Sequence, residues 1–307
     1  MNGKSASDGN GPLQGRRTFL ATMGMLLGLP GCTDSSAPVT MMTAGSLNHP
    51  FEEGLVPQCP DISIQLESHG SVAAARLVAE GTRDPDIVSL ADPALFDGPL
   101  HPAGYVTFAT NALVLVYNPD TPAGRRLAAA DSTNWYAPLL EEEVDLGRTD
   151  PDLDPLGYRT LFALTLAERY HDVSELKARL LRRDQIYPET ALISQFEVGA
   201  IDAAFAYRSM AVSRGYAYVD LPPQINLSVP DHDDEWYATA SYRLPDDTRV
   251  QGAPIRYASA LRHVRPEARA VFRRQCRGAF LQRFGFSVPD HYPRVHGTLP
   301  DGVSTFG

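Results

Sequence analysis

The chain is poor in the residues that carry metal and redox chemistry. Its 307 residues include three cysteines and eight histidines, and these have none of the spacings of a zinc site. Outside the cell Cys59 and Cys276 have two outcomes open to them, a disulfide or two isolated buried thiols. There is no Gly-x-Ser-x-Gly elbow, and no histidine stands recognisably as a base for a serine, so a hydrolase has no support. Positive charge is also short: 27 Lys and Arg face 37 Asp and Glu, a formal net charge of −10. That balance argues against a nucleic-acid partner and suits an extracellular protein, with adaptation to salt one reading of it. Beyond the N-terminal segment no apolar run is long enough to cross a bilayer, and no internal repeat is present.

What is present begins with an export signal. Arg16-Arg17-Thr18-Phe19-Leu20 precedes an apolar run to Leu29 that is too short to span a membrane, and Leu29-Pro30-Gly31-Cys32 closes it. The paired arginines resemble a twin-arginine signal, and the closing four residues resemble a lipoprotein processing site. On that resemblance residues 1–31 are removed and Cys32 becomes the lipid-bearing N-terminus. Residues 32–38 are then a tether holding the body at the outer membrane face. A signal cut nearby without lipid is the alternative. Removal leaves 24 basic against 36 acidic side chains, a balance of −12.

From Pro38 onward strand and helix alternate. Strands are expected over 39–43, 61–66 and 86–90, with one helix from Ser46 through Leu55 and another over 72–80 stopped by Gly81. This βαβαβ order implies parallel strands, right-handed crossovers and a ligand site beyond their carboxyl ends. Residues 105–117 read as a long strand interrupted at 109–111, of a kind that passes between domains. Helices are expected over 121–130, 135–143, 155–170, 174–183 and from Glu189 to about Gly199, and strands over 203–207 and 216–221. The second of these strands carries the chain back. Residues 222–244 are loop-rich, 250–258 strand-like, 266–283 a long helix, and the tail from Ser287 irregular. The fold class that follows is α/β with two lobes, 39–111 plus 218–300 and 112–217, closing on a ligand.

The rest is organised around residues 147–159, GRTDPDLDPLGYR. Asp154 reads as an N-cap with Pro155 at the first helical position. The free N–H groups and partial positive charge of that helix start form an anion site. Two similar starts lie at Ala44-Gly45-Ser46-Leu47 and His69-Gly70-Ser71. Singly, each serine reads as an ordinary cap worth about 1 kcal/mol. Jointly, hydroxyls and nearby N–H groups are neutral donors that hold a dianion without a counter-charge to desolvate. Arg76 and Arg159 are either anion clamps or helix-face residues meeting surface carboxylates, and the second is the expectation. Asp150 and Asp152 read as turn formers.

These segments resemble one family. TAGSL at 43–47, ESHGSVAAARLVAEG at 67–81, DIVSLAD at 86–92 and ATNALVLVYNP at 109–119 are similar to the tungstate- and molybdate-binding proteins of archaeal ABC importers. So, in the same order, are the stretch at 147–159, AFAYRSMA at 204–211 and LPPQINLS at 221–228. The resemblance implies a type II periplasmic-binding-protein fold with its ligand cleft between two lobes. It implies hydroxyl donors at Ser46, Ser71 and Tyr207, a backbone N–H at Leu156, and a donor at the helix start of Glu189 and Thr190. Asp154 matches a carboxylate that approaches the metal of the oxyanion. Permease and ATPase subunits are the implied partners of a monomer. No cofactor is implied besides the tungstate or molybdate ligand, and no turnover.

One position departs from that pattern. A second carboxylate is expected just before the tyrosine, where this chain has Phe205-Ala206-Tyr207. A carboxylate about 4 Å from a free dianion is repelled by about 8 kcal/mol at an effective dielectric of about 20, which is bearable only if its oxygen bonds to the metal. With Ala206 the six-coordinate metal that the resemblance implies loses one ligand. Asp154 is then a cap turned from the ligand, the lone metal contact, or a partner of Glu189 in that role. Sulfate, phosphate or another tetrahedral anion stays open as ligand. An extracellular enzyme or a sensor subunit on the same fold is the alternative in a different class.

Overall fold

In the computed structural model of the chain, residues 37–141, 144–182 and 184–303 are described. Cys32, the export signal and most of the tether lie outside them. β1 (Val39–Ala44) runs into α1 (Gly45–Pro50), and β2 (Ile64–His69) into α2 (Ser71–Ala79). β3 (Ile87–Leu90) and β4 (Gly104–Thr110) follow. β3 is buried along its whole length, which is why it reads as an apolar run rather than an alternation. The chain then crosses at Asn111-Ala112 into β5 (Leu113–Tyr117), α3 (Pro122–Ala128), β6 (Leu146–Thr149) and α4 (Pro155–His171). α5 (Leu176–Leu181), β7 (Gln185–Tyr187), α6 (Glu189–Glu197), β8 (Ala203–Tyr207), α7 (Arg208–Arg214) and β9 (Ala217–Asp220) complete this half. The return adds β10 (Ser241–Arg243), β11 (Arg249–Gln251), β12 (Arg256–Leu261), α8 (Pro266–Arg277) and β13 (Arg294–Gly297).

Two sheets organise the molecule. One has the order β13-β4-β12-β3-β1-β2 and the other β7-β6-β8-β5-β9, with β10 and β11 as a separate ribbon. β1 pairs in parallel with β2 and β3, as does β6 with β7 and β8, whereas β12 runs antiparallel between β3 and β4. The parallel pairs are those joined through helices, as crossover geometry requires. Side-by-side backbone bonds tie the two crossings between sheets: Leu113 N–H donates to the Asn226 carbonyl at 2.8 Å and Ile255 N–H to the Leu227 carbonyl at 2.8 Å.

Several elements differ from the sequence reading. Over 135–141 the chain makes only a short 3-10 turn, Pro138–Leu140. Trp135 is instead fully buried, edge-on to Phe205 with ring centroids 5.8 Å apart, so tertiary packing claims residues that looked helical. The helix expected to reach 283 ends at Gly278, whose φ of +67° stops α8, and a 3-10 segment continues over Ala279–Phe284. Residues 250–258 divide into β11 and β12. β9 pairs with β5 through Asp220 and is an edge strand of the second sheet. The tail is not wholly irregular: β13 pairs antiparallel with β4. Cys59 and Cys276 are free and buried.

Candidate ligand-binding site

The first lobe brings two turns together through register. In the parallel pair, Ala44 lies opposite His69, so Gly45-Ser46 and Gly70-Ser71 emerge side by side at the carboxyl ends of their strands. Neither serine is a helix cap, contrary to the sequence reading. Ala44 and Gly70 hold the cap positions, and the serines fall inside the first turn. Their hydroxyls turn to tertiary partners instead. Ser46 Oγ is 2.9 Å from Tyr257 Oη, and Ser71 Oγ accepts the Ala91 N–H at 3.0 Å.

The second lobe supplies the opposing face. Asp154 caps α4 in extended geometry with Pro155 behind it, as the Asp-Pro step predicts, but its side chain makes no capping bond. It is 3% exposed, and Oδ2 has no hydrogen-bond partner. The preceding carbonyl, that of Leu153, crosses the cleft and accepts the Ala73 N–H at 3.2 Å. Gly70 permits that approach, since a Cβ there would strike the Leu153 carbonyl. At α6, Pro188 is the cap and Glu189 the first helical residue, so the expected cap at Glu189-Thr190 is one residue late. The Glu189 carboxyl group reaches the first lobe, where it lies beside Gly45 and the N–H groups of Gly45 and Ser46. Its Oε1 is buried without a partner. Leu156 is fully buried in the first turn of α4, its N–H beside the Asp154 carboxylate.

Arg159 is the largest departure from expectation. Far from meeting a surface carboxylate, it is 3% exposed at the lobe junction. Nη1 donates to Tyr207 Oη at 2.8 Å, and Nη2 lies 3.1 Å from Asp92 Oδ2, which also accepts the Tyr158 hydroxyl at 2.7 Å. Tyr257, from β12, stands 6.1 Å from Tyr207 between ring centroids and joins Ser46 to Asn111 at the crossing. Tyr257, Asn111 and Asp92 were not singled out by their own sequence surroundings. Arg76 lies on α2, its Nη2 buried without a hydrogen-bond partner. Asp150 and Asp152 do form a turn, Asp152 N–H donating to Asp150 Oδ1 at 2.9 Å. Of the sequence candidates, Ser46, Ser71, Asp154, Leu156, Glu189 and Tyr207 line one junction. Thr190 follows Glu189 in the first turn of the same helix, its side chain outside the described set.

Burial governs the electrostatics. It pushes the Asp154 carboxyl up to about 6, with the Leu156 N–H, the Thr149 hydroxyl and Arg159 pulling the other way. Burial and then the charge of Asp154 raise Glu189, against the pull of the Gly45 and Ser46 N–H groups beside it. Burial alone would lower Arg159, but Tyr207, Asp92 and Tyr158 outweigh it and hold the guanidinium charged. A cavity of about 190 Å³ opens beside Gly70, Asp154 and Glu189. Among the described residues no cluster of His, Cys, Asp and Glu has the make-up of a metal site.

Two α/β lobes meeting over a buried set of hydroxyls, backbone N–H groups and one guanidinium define a solute-binding protein. A family model described as "Bacterial extracellular solute-binding protein" matches residues 39–275, and the chain belongs to that family. It is 50% identical over 296 residues to a Haloferax volcanii protein named "Putative ABC transporter molybdenum-binding protein", covering 93% of this chain and 95% of the relative. In fold it is similar to the periplasmic molybdate-binding protein of Azotobacter vinelandii, with a TM-score of 0.57 at 13% identity over 82% of this chain and 100% of that one. The sulfate-binding protein SubI of Mycobacterium tuberculosis also gives 0.57, at 12% identity over 83% of this chain and 88% of the other. At those identities the likeness is one of fold alone.

Proposed function

We propose that the chain captures molybdate or tungstate outside the cell and delivers it to the permease and ATPase subunits of an ABC importer. The observation that carries this is the convergence, from both lobes, of neutral donors around one buried guanidinium. The hydroxyls of Ser46, Ser71 and Tyr207 and the N–H groups of Gly45, Ser46 and Leu156 bind charge without bringing a counter-charge that must be desolvated. Asp154, with its uncommitted Oδ2, is the carboxylate to approach the metal atom. The molybdenum-binding name of the half-identical relative supports this ligand over sulfate, which the shared fold does not distinguish.

The site favours holding over turnover. Ser46 bonds to a tyrosine and Ser71 accepts a backbone N–H, so neither hydroxyl is paired with a general base. An anion held by donors from both lobes binds the closed state more tightly than the open one and so favours closure. In the same reading Cys32 carries the lipid that keeps the exported body at the membrane. The test is isothermal titration with molybdate, tungstate, sulfate and phosphate. Tight binding of the first two and at least a hundredfold weaker binding of the others is expected; a preference for sulfate or phosphate overturns the assignment. The intact mass of membrane-extracted protein should correspond to an acylated chain beginning at Cys32, and an unmodified mass refutes the anchor.

A further inference from the structure

Glu189 sits where the proposed ligand needs donors. Its carboxyl group leaves α6 in one lobe and lies against Gly45 and the N–H groups of Gly45 and Ser46 in the other. The approach is close: a methyl group on Gly45 would collide with it. Glu189 is 5% exposed, and Oε1 has no hydrogen-bond partner. Facing it from α4 is Asp154, 3% exposed, whose Oδ2 is equally unpartnered. Arg159, the cation that acts on Asp154, directs its donors to Tyr207 and Asp92 rather than to either carboxyl group. Glu189 is therefore a carboxyl group lodged in the cleft against backbone donors and opposed by a second carboxyl group.

One pair of N–H groups does not serve two acceptors at full strength. We propose, resting on the oxyanion reading above, that Glu189 is an internal competitor: its carboxylate occupies the Gly45 and Ser46 N–H groups, and an oxyanion binds by displacing it. Because the competitor is tethered, its effective concentration is high and constant, so it sets the affinity of the cleft. Competition of this kind weakens every ligand that uses those donors by one common factor. A residue that merely repels would weaken a dianion far more than a monoanion of the same shape, and a residue that ligates the metal would strengthen binding.

The test is titration of the wild-type chain, E189A and E189Q with tungstate and with perrhenate, a tetrahedral monoanion of similar size. Melting temperatures check that each variant folds, and E189Q serves if E189A does not. E189A should bind both anions about tenfold more tightly, the two gains agreeing within about threefold. E189Q should move the same way by less. In the absence of oxyanion, the amide NMR signals of Gly45 and Ser46 should shift on substitution. Weaker or unchanged binding by a folded variant overturns the proposal, as does a gain confined to tungstate. Absence of binding by the wild type and all folded variants instead overturns the oxyanion reading beneath it.

Discussion

Asp154 is a carboxyl group with 3% of its surface exposed and one oxygen without a partner, and that combination sets a pH dependence. Its value is pushed up to about 6, against about 3.9 in an unfolded chain. Between those values the folded state keeps a proton that the unfolded state has lost, so this group's contribution falls as pH rises from about 4 to about 6 and is flat above. D154N lacks the term. Its stability relative to wild type should therefore climb across that window by up to about 3 kcal/mol, measured as denaturant unfolding at several pH values; a difference independent of pH removes the argument. The cap itself was legible because cap and proline chemistry is local. Arg159 was not: residues 155–164 are buried on every side, so helical periodicity has no polar face on which to place it.

At the scale of elements, the start of α4 depends on how closely it lies against the turn before it. A Cβ on Gly157 would stand 2.5 Å from the Pro151 nitrogen and 2.6 Å from the Asp150 carbonyl carbon, and backbone cannot swing aside as a side chain can. G157A should lower stability by about 1–3 kcal/mol and weaken anion binding, since the same turn sets Asp154 and Leu156. Thermal melting and titration check both; a variant as stable as wild type would mean the turn yields freely. The Gly-Ser starts at α1 and α2 were visible as helix beginnings but not in register, because nothing local states that Ala44 and Gly70 take the cap and send the serines inward. β13 left no mark at all. Its Arg-Val-His-Gly run faces solvent for most of its length and lacks the alternation by which a half-buried strand is recognised.

Across the whole molecule, the start of the described chain is fastened by charge. Arg265 caps α8, donates to Asp86 at 2.9 and 2.7 Å, and also holds the Ala37 carbonyl at 2.9 Å. Arg265 and the Thr40 donors hold Asp86 down to about 2. A depressed carboxylate contributes above its unfolded value and loses that contribution as pH falls from about 4 towards 2. R265A should therefore cost about 1 kcal/mol near neutral pH, discounted for the partial exposure of the arginine, and raise the midpoint of acid unfolding. An unmoved midpoint in an acid titration followed by circular dichroism would reject this. The two-lobed plan could be read from the order of strands and helices. The contacts that build its junction could not, because Ser46 and Tyr257 are 211 positions apart and such pairs leave no local pattern.

The free cysteines carry a practical implication. Cys59 and Cys276 are both buried, and burial raises both thiols, which suppresses the reactive thiolate. Among the described residues no disulfide ties the fold together, so none has to be oxidised to complete it. A maleimide dye added afterwards becomes a clock, silent while the interior stays shut and bright only as molecules come apart.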